Sequence, residues 1–235
     1  QVSQAVRAYE QEVVRLVTAQ RAQNALGSTR VNGVIMCNTT VEESRELEAM
    51  HLRAPMVFFN RYSPKYSSVY SDFSTVGAQI AQLFHGKGYR HVALVGTGQN
   101  VSNHVKREKG FLTACAQLGM SARLWTAGPN GDSAAYGYQL TKELIQAGGV
   151  PDGIFYSADE YAMGGVRACA ELGVALPQDM GIIGYGSSQF NSYLTPSVTS
   201  VGFPISKMVQ DCVNLLLDKY YHNSPGCKSI RYQAE

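Results

Sequence analysis

No apolar run in these 235 residues approaches the roughly 18 needed to cross a bilayer, so the sequence holds no candidate membrane-spanning helix. Charge is scarce as well. Lys and Arg total 20 against 18 Asp and Glu, for a net charge of +2, and charged residues are only 16% of the chain. The densest basic grouping is Lys106-Arg107-Glu108-Lys109. Direct nucleic-acid binding leaves a concentrated basic footprint, and this chain by itself carries none. Its cysteines, Cys37, Cys115, Cys169, Cys212 and Cys227, are odd in number and never form a C-x-x-C pair. That spacing argues against a disulfide framework and a zinc site and for a reducing compartment, the cytoplasm being the expectation.

Signatures of catalysis are missing too. Gly96-Thr97-Gly98 follows a predicted strand, but Val101 stands where a dinucleotide fingerprint needs its third glycine, and no Walker sequence is present. In Gly184-Tyr185-Gly186-Ser187-Ser188 the serine falls one position too late for a nucleophile elbow. The five histidines, His51, His85, His91, His104 and His222, show no metal-ligand spacing. No enzyme, metal or cofactor is expected on these grounds.

What is present is an α/β rhythm. Short apolar runs bounded by turn formers read as strands buried on both faces of a parallel sheet: Val31 to Cys37, Met56 to Phe59, His91 to Gly96, Leu124-Trp125, Gly153 to Tyr156 and Gly181 to Tyr185. Helical periodicity lies between them, over Val41 to His51, Thr75 to His85, a segment around Arg107 running to Leu118, Ala134 to Ala147 with Asp132 or Ser133 as cap, and Glu160 to Leu172. Tyr62 to Ser68, rich in Ser, Tyr and Pro, reads as a loop leading to an extended piece ending at Tyr70. The last helix, Ile205 to Tyr220, is apolar over so wide a face that it is expected to pack on more than one side. Cys115, Cys169 and Cys212 fall inside helical patterns, as small buried hydrophobes do. At the start, Val2 to Val14 has helical spacing and Val13 to Thr18 reads as a strand. The gap of Gln20 to Arg30 is short for a crossover, as if residues were missing there. Gln1 lacks a preceding methionine and Ile230 to Glu235 reads as a strand just beginning, so the chain reads as a piece of something longer.

A collinear set of motifs carries a resemblance. Arg107-x-x-Gly110-Phe111, Asp152-Gly153-Ile154-Phe155, Asp159, Ala162-Met163-Gly164, Leu172-Gly173, Pro177-Gln178-Asp179, Ile182-Ile183-Gly184-Tyr185 and Tyr193 to Thr199 together resemble the effector-binding core of LacI/GalR-type bacterial transcription regulators. The similarity covers nearly all of the chain from Val31 onward. It implies a two-lobed periplasmic-binding-protein-like α/β fold, each lobe a parallel sheet flanked by helices. Residues 1–70 with 203–231 would form one lobe, and 71–202 with 232–235 the other, joined by a multi-strand hinge. The resemblance implies a small-molecule effector, a sugar, sugar derivative or nucleoside, held between the lobes of a homodimer that meets operator DNA only through a helix-turn-helix absent from this chain. A periplasmic solute-binding protein of a sugar transporter shares the fold and is the alternative. The free cysteines and the segment from Pro177 to Thr199 favour the regulator.

Arg107 is the foremost candidate ligand residue, because a guanidinium near a helix start at a strand-end crevice forms two parallel hydrogen bonds to hydroxyls or a carboxylate. The matching family residue contacts the effector. Asn60 matches a position often occupied by a ligand-facing aspartate, and its amide both donates and accepts. Arg61, Asn38 and Thr39 are expected on the same rim. Tyr136, Tyr156 and Phe58 are aromatic faces on which a ring could stack, although aromatic residues in this sheet region are more often simple core. Asp159 is expected chiefly as a helix cap. Two departures stand out, Ala158 where the family usually has Asn and Gly186 where it usually has Asp. The lost hydrogen-bonding groups count against an ordinary hexose, leaving three alternatives: Ser187 and Ser188 substitute, the ligand is less polar, or effector binding is lost.

Overall fold

The computed structural model describes residues 33–37, 41–49, 54–98, 102–126, 133–222 and 226–235. The expected elements before Val31 lie outside these residues, as do Asn38, Thr39, Asp132 and the short Gln20 to Arg30 gap. Two compact units are formed. One joins the described residues up to Ser71 with Pro204–Gln233, and the other joins Asp72–Phe203 with Ala234–Glu235.

The first unit has a parallel four-stranded sheet in the order β1 (Val34–Met36), β2 (Met56–Phe59), β3 (Ser67–Ser71), β9 (Ser229–Tyr232). Alternation along β2 turns Met56 and Phe58 to one face, where they pack with Met36 and with Leu47 of helix α1 (Val41–Ala49). The sequence reading placed residues up to Ser68 in a loop, and here the structure differs. Ser67 and Ser68 are the start of an interior strand, buried between β2 and β9. Serine tolerates that place because its hydroxyls are satisfied: Ser67 Oγ accepts the Lys228 amide at 3.1 Å, and Ser68 Oγ meets Ser229 Oγ at 3.0 Å. Helix α6 (Ile205–His222) covers this sheet with Met208, Cys212 and Leu215. Its apolar face is narrower in effect than its sequence suggests, since Ile205 and Leu217 are exposed.

The second unit has a parallel five-stranded sheet in the order β5 (Ser121–Trp125), β4 (His91–Val95), β6 (Gly153–Tyr156), β7 (Gly181–Tyr185), β8 (Thr199–Val201). Its two faces follow from the period-two alternation of apolar strands. Ala93, Val95, Ile154 and Tyr156 meet Tyr136, Leu140 and Leu144 of α4 (Ser133–Gly148) and Tyr161, Ala162, Val166 and Cys169 of α5 (Asp159–Leu172). On the opposite face Phe155 meets Phe111 of α3 (Ser102–Gln117), with ring centres 5.2 Å apart. Phe111 in turn meets Phe84 of α2 (Phe73–Gly86) at 6.1 Å.

Each helix pair closes over glycine. A Cβ on Gly77 of α2 would run into the Arg107 carbonyl of α3, and one on Gly164 of α5 into the Ala134 carbonyl of α4. Cys115, Cys169 and Cys212 are buried, and burial pushes their thiols up to about 11, about 11 and about 12. Among the described residues no helix is long and apolar enough to cross a membrane.

Candidate functional site

Strand order locates the place to look. From β4 the chain steps outward to β5, then returns across β4 to β6 and continues to β7 and β8. The direction reverses between β4 and β6, and in open parallel sheets ligands bind at the carboxyl ends of strands flanking such a reversal. The residues there are Gly96 to Gly98 after β4, Ser157 and Ala158 after β6, and Gly186 to Ser188 after β7.

Arg107 reaches this rim from the second turn of α3. It is the largest fully buried side chain of the described residues, at 1% exposure, and so is no ordinary surface arginine. Nη2 donates to the Ser157 carbonyl at 2.8 Å. The guanidinium carbon lies 3.7 Å from the centre of the Tyr185 ring, a cation–π stack. Its Nε is buried with no hydrogen-bond partner among the described residues, and no carboxylate there lies within ion-pair distance. Burial holds the guanidinium below its ordinary pKa, opposed by Tyr185 and Glu108, while burial raises the Tyr185 phenol, opposed by Arg107. Tyr185 sits among aromatic neighbours, 6.4 Å from both Phe73 and Phe203.

The acids nearby are engaged elsewhere. Glu108 Oε1 accepts the Thr97 amide at 3.0 Å. Asp159, at 1% exposure, accepts the Ser188 amide at 2.6 Å and the Ser200 hydroxyl at 2.7 Å. Reading Asp159 as the helix cap is therefore corrected. Ala158 is the N-cap of α5, extended at φ −149° and ψ 146° with no side-chain cap bond, and Asp159 lies one residue inside it. Its carboxylate instead pins the loop after β7, whose Gly186 and Ser187 have φ of 136° and 52°. Gly186 N–H donates to the Val201 carbonyl at 2.9 Å and Ser187 N–H to Ser200 Oγ at 3.0 Å, completing the clasp.

At the β4 end, Tyr136 donates to the Gly96 carbonyl at 3.1 Å and packs against Tyr161 at 4.9 Å. Thr97 Oγ1 meets His104 Nδ1 at 3.2 Å. Burial, then the Arg107 charge, push the His104 imidazole down to about 4, leaving it neutral near pH 7.

Of the expected residues, Arg107, Tyr136, Ala158, Asp159, Gly186 and Ser187 all fall at the carboxyl ends of this one sheet. Tyr156 does not offer a face for stacking. It is wholly buried between sheet and helices, its hydroxyl 2.7 Å from Thr141 Oγ1, and burial raises its pKa. Phe58 is likewise core in the first unit. In that unit Asn60 and Arg61 follow β2 at its carboxyl end, Asn60 in the left-handed region at φ 56° with its N–H donating to Val69 O at 2.8 Å. Sequence reasoning missed Tyr185, Ser157, Ser200 and His104. Tyr185 ends an apolar strand and looks like core, Ser157 and Ser200 acquire meaning only through partners distant in sequence, and His104 shows no ligand spacing that would single it out.

A groove of about 270 Å³ runs along edge strand β5 and the end of α4, lined by His91, Arg123, Trp125 and Asp152 among others. Asp152 already accepts the Arg90 and His91 amides at 2.6 and 2.8 Å. None of the buried unpartnered polar atoms found among the described residues belongs to its lining, so the strand-end rim is the stronger site.

Comparison with known proteins agrees with this fold. A model of the periplasmic binding protein-like domain matches residues 81–231. The chain belongs to that family. Within it, the periplasmic-binding-protein-like domain described here is similar to the catabolite control protein A of Priestia megaterium, 26% identical over 210 residues, or 88% of this chain and 63% of that protein. Similar too is the HTH-type transcriptional repressor PurR of Erwinia tasmaniensis, 26% identical over 200 residues, covering 83% of this chain and 58% of that protein. The crystal structure of a LacI family transcription regulator from Clostridium acetobutylicum superposes with a TM-score of 0.80 at 25% identity, covering 88% of this chain and 79% of that one. The chain thus spans about three fifths of the length of these curated relatives. Both the resemblance to LacI-type regulators and the periplasmic-binding-protein-like α/β fold expected from the motifs hold.

Proposed function

We propose that this chain is the effector-binding domain of a LacI-type transcription regulator, in which a small polar molecule held at the strand ends sets the DNA-binding state of a dimer. The single observation that carries the reading is Arg107. A cation kept out of water with no acidic partner among the described residues is expensive, and folds retain such groups where a ligand completes them. Its position beside the reversal point of a parallel sheet, and the similarity to a catabolite control protein and a transcriptional repressor over most of the chain, support the same reading. DNA reading by a helix-turn-helix outside this sequence, homodimerisation and a cytoplasmic setting belong to the proposal. So do the contributions of Asn60, Arg61, Asn38 and Thr39 to ligand contact. No step of it requires catalysis.

Ligand binding would act by favouring one arrangement of the two units, an effect limited by the difference in affinity between arrangements. The test is a thermal-shift panel on the chain with ribose, glucose, adenosine and their phosphorylated forms, repeated on Arg107→Ala. A ligand at 100 times its Kd adds about 2.7 kcal/mol, roughly 5–10 °C for a domain of this size. A shift that vanishes in Arg107→Ala is expected, and a shift of equal size in the variant would remove Arg107 from the site.

A further inference from the structure

The charge arrangement at the strand ends goes further, to the class of ligand. We propose that the second unit's site selects an anionic oxygen pair, a carboxylate or a phosphate ester, in preference to a neutral polyol, an inference that rests on the effector-binding reading above. Two independent features converge on one spot. Arg107 presents a buried guanidinium whose Nε has no partner among the described residues. Its Nη2 is tied to the carbonyl of Ser157, the residue immediately before the N-cap of α5. That N-cap is Ala158, which makes no side-chain cap bond, so the cap position beside the guanidinium is left to a ligand even though Asp159 and Glu160 stand in the first turn.

No carboxylate among the described residues lies within ion-pair distance of the guanidinium. Glu108 is bonded to Thr97 N–H, and Asp159 divides its two oxygens between Ser188 N–H and Ser200 O–H. Position 186, next to the Asp159 carboxylate, is a glycine and contributes no further acid. A neutral hydroxyl would leave the guanidinium without an ion-pair partner among the described residues in a desolvated place. An anionic oxygen pair matches the fork and supplies the missing charge.

The experiment compares ligands that differ only in charge. Ribose with ribose 5-phosphate, glucose with glucose 6-phosphate and glucose with gluconate are titrated calorimetrically into the 235-residue chain at constant ionic strength, with inorganic phosphate alone as a fourth probe. The expected result is at least a tenfold preference for one anionic member over its neutral parent, the phosphate and gluconate arms telling which anion chemistry is read. Arg107→Lys, which keeps the charge but loses the fork, should cost about tenfold. Ala158→Asp places a capping carboxylate on the anion locus in backbone geometry that suits it. It should abolish anion binding while raising Tm, so loss of binding cannot be ascribed to unfolding. Neutral sugars binding as well as their esters, in an Arg107-dependent way, would overturn the charge inference and leave the effector-binding reading standing. Anion binding unchanged in both variants would overturn the inference as well. No Arg107-dependent binding by any probe to the folded protein would sink both.

Discussion

Asp159 is the residue whose removal should be felt most, although it belongs neither to a core of apolar side chains nor to an ion pair. Its carboxylate joins the start of α5 to the loop after β7 and to β8, through bonds of 2.6 Å to Ser188 N–H and 2.7 Å to Ser200 O–H. Hydrogen bonds to a charged group contribute about 1.5–3 kcal/mol each, and an acidic side chain in a first helical turn about 0.3–1 kcal/mol more. Asp159→Ala deletes all three contributions at a site that is 1% exposed, so replacement by water is restricted. A loss of about 4 kcal/mol is expected, or a fall in Tm of roughly 10 °C at about 2–4 °C per kcal/mol. Asp159→Asn keeps one acceptor but turns an NH₂ toward a donor, and about half the loss should remain. Urea denaturation of wild type, both variants and an exposed first-turn control, Glu160→Ala, measures this directly. A loss below 1 kcal/mol in Asp159→Ala, or one no larger than in the control, would refute the clasp.

Three further outcomes follow from the same geometry. His104 is depressed to about 4 by burial and by Arg107, whereas an unfolded histidine protonates near 6.5; stability is complete above 6.5 and drains as pH falls toward 4. Because the ring is partly exposed the loss should be about 1 kcal/mol, and His104→Gln should flatten the Tm profile between pH 7 and 4.5, an unchanged slope ruling the assignment out. Gly164→Ala should cost about 2–3 kcal/mol by forcing α4 and α5 apart, while Gly86→Ala, which meets nothing, should be neutral or stabilising by up to about 1 kcal/mol, as chemical denaturation will tell. Tyr156→Phe removes only the bond to Thr141 and should lower stability by about 1 kcal/mol with ligand affinity unchanged; a drop in affinity measured by calorimetry would return Tyr156 to the site.

How far the sequence could be read depended on whether a residue's role was local. Met56–Phe59, Gly153–Tyr156 and Gly181–Tyr185 are found as predicted because a short apolar run between turn formers has few other uses. Strand β5 was only half seen, as Leu124-Trp125, since an edge strand with one wet side lacks that run. The 3₁₀ turn Gln189–Tyr193 was missed, and strand β3 was seen only as an extended piece ending at Tyr70, for opposite reasons. In the first the composition reads as irregular loop, and in the second a serine-rich stretch is made a strand by neighbours that satisfy its hydroxyls. Arg107 was legible through a motif and its place at a helix start. Its stacking on Tyr185 was not, because nothing in Ile182-Ile183-Gly184-Tyr185 says which way the last side chain turns. Asp159 could be seen as acidic and near a helix start, but its partners stand 29 and 41 positions away, so a cap was the nearest local explanation.

The serine-lined pairing of β3 with β9 has a consequence for how the chain is made. Ser68 waits for Ser229, 161 positions later, while the whole five-stranded unit is encoded in between. At about 5–20 residues per second of synthesis, that leaves one side of β3 without its partner strand for roughly 10–30 s, during which the intervening unit can complete its own sheet. A bare strand edge invites pairing with any other chain. Buried serines, which gain little from a foreign apolar surface, make that edge a poor template until the right strand arrives.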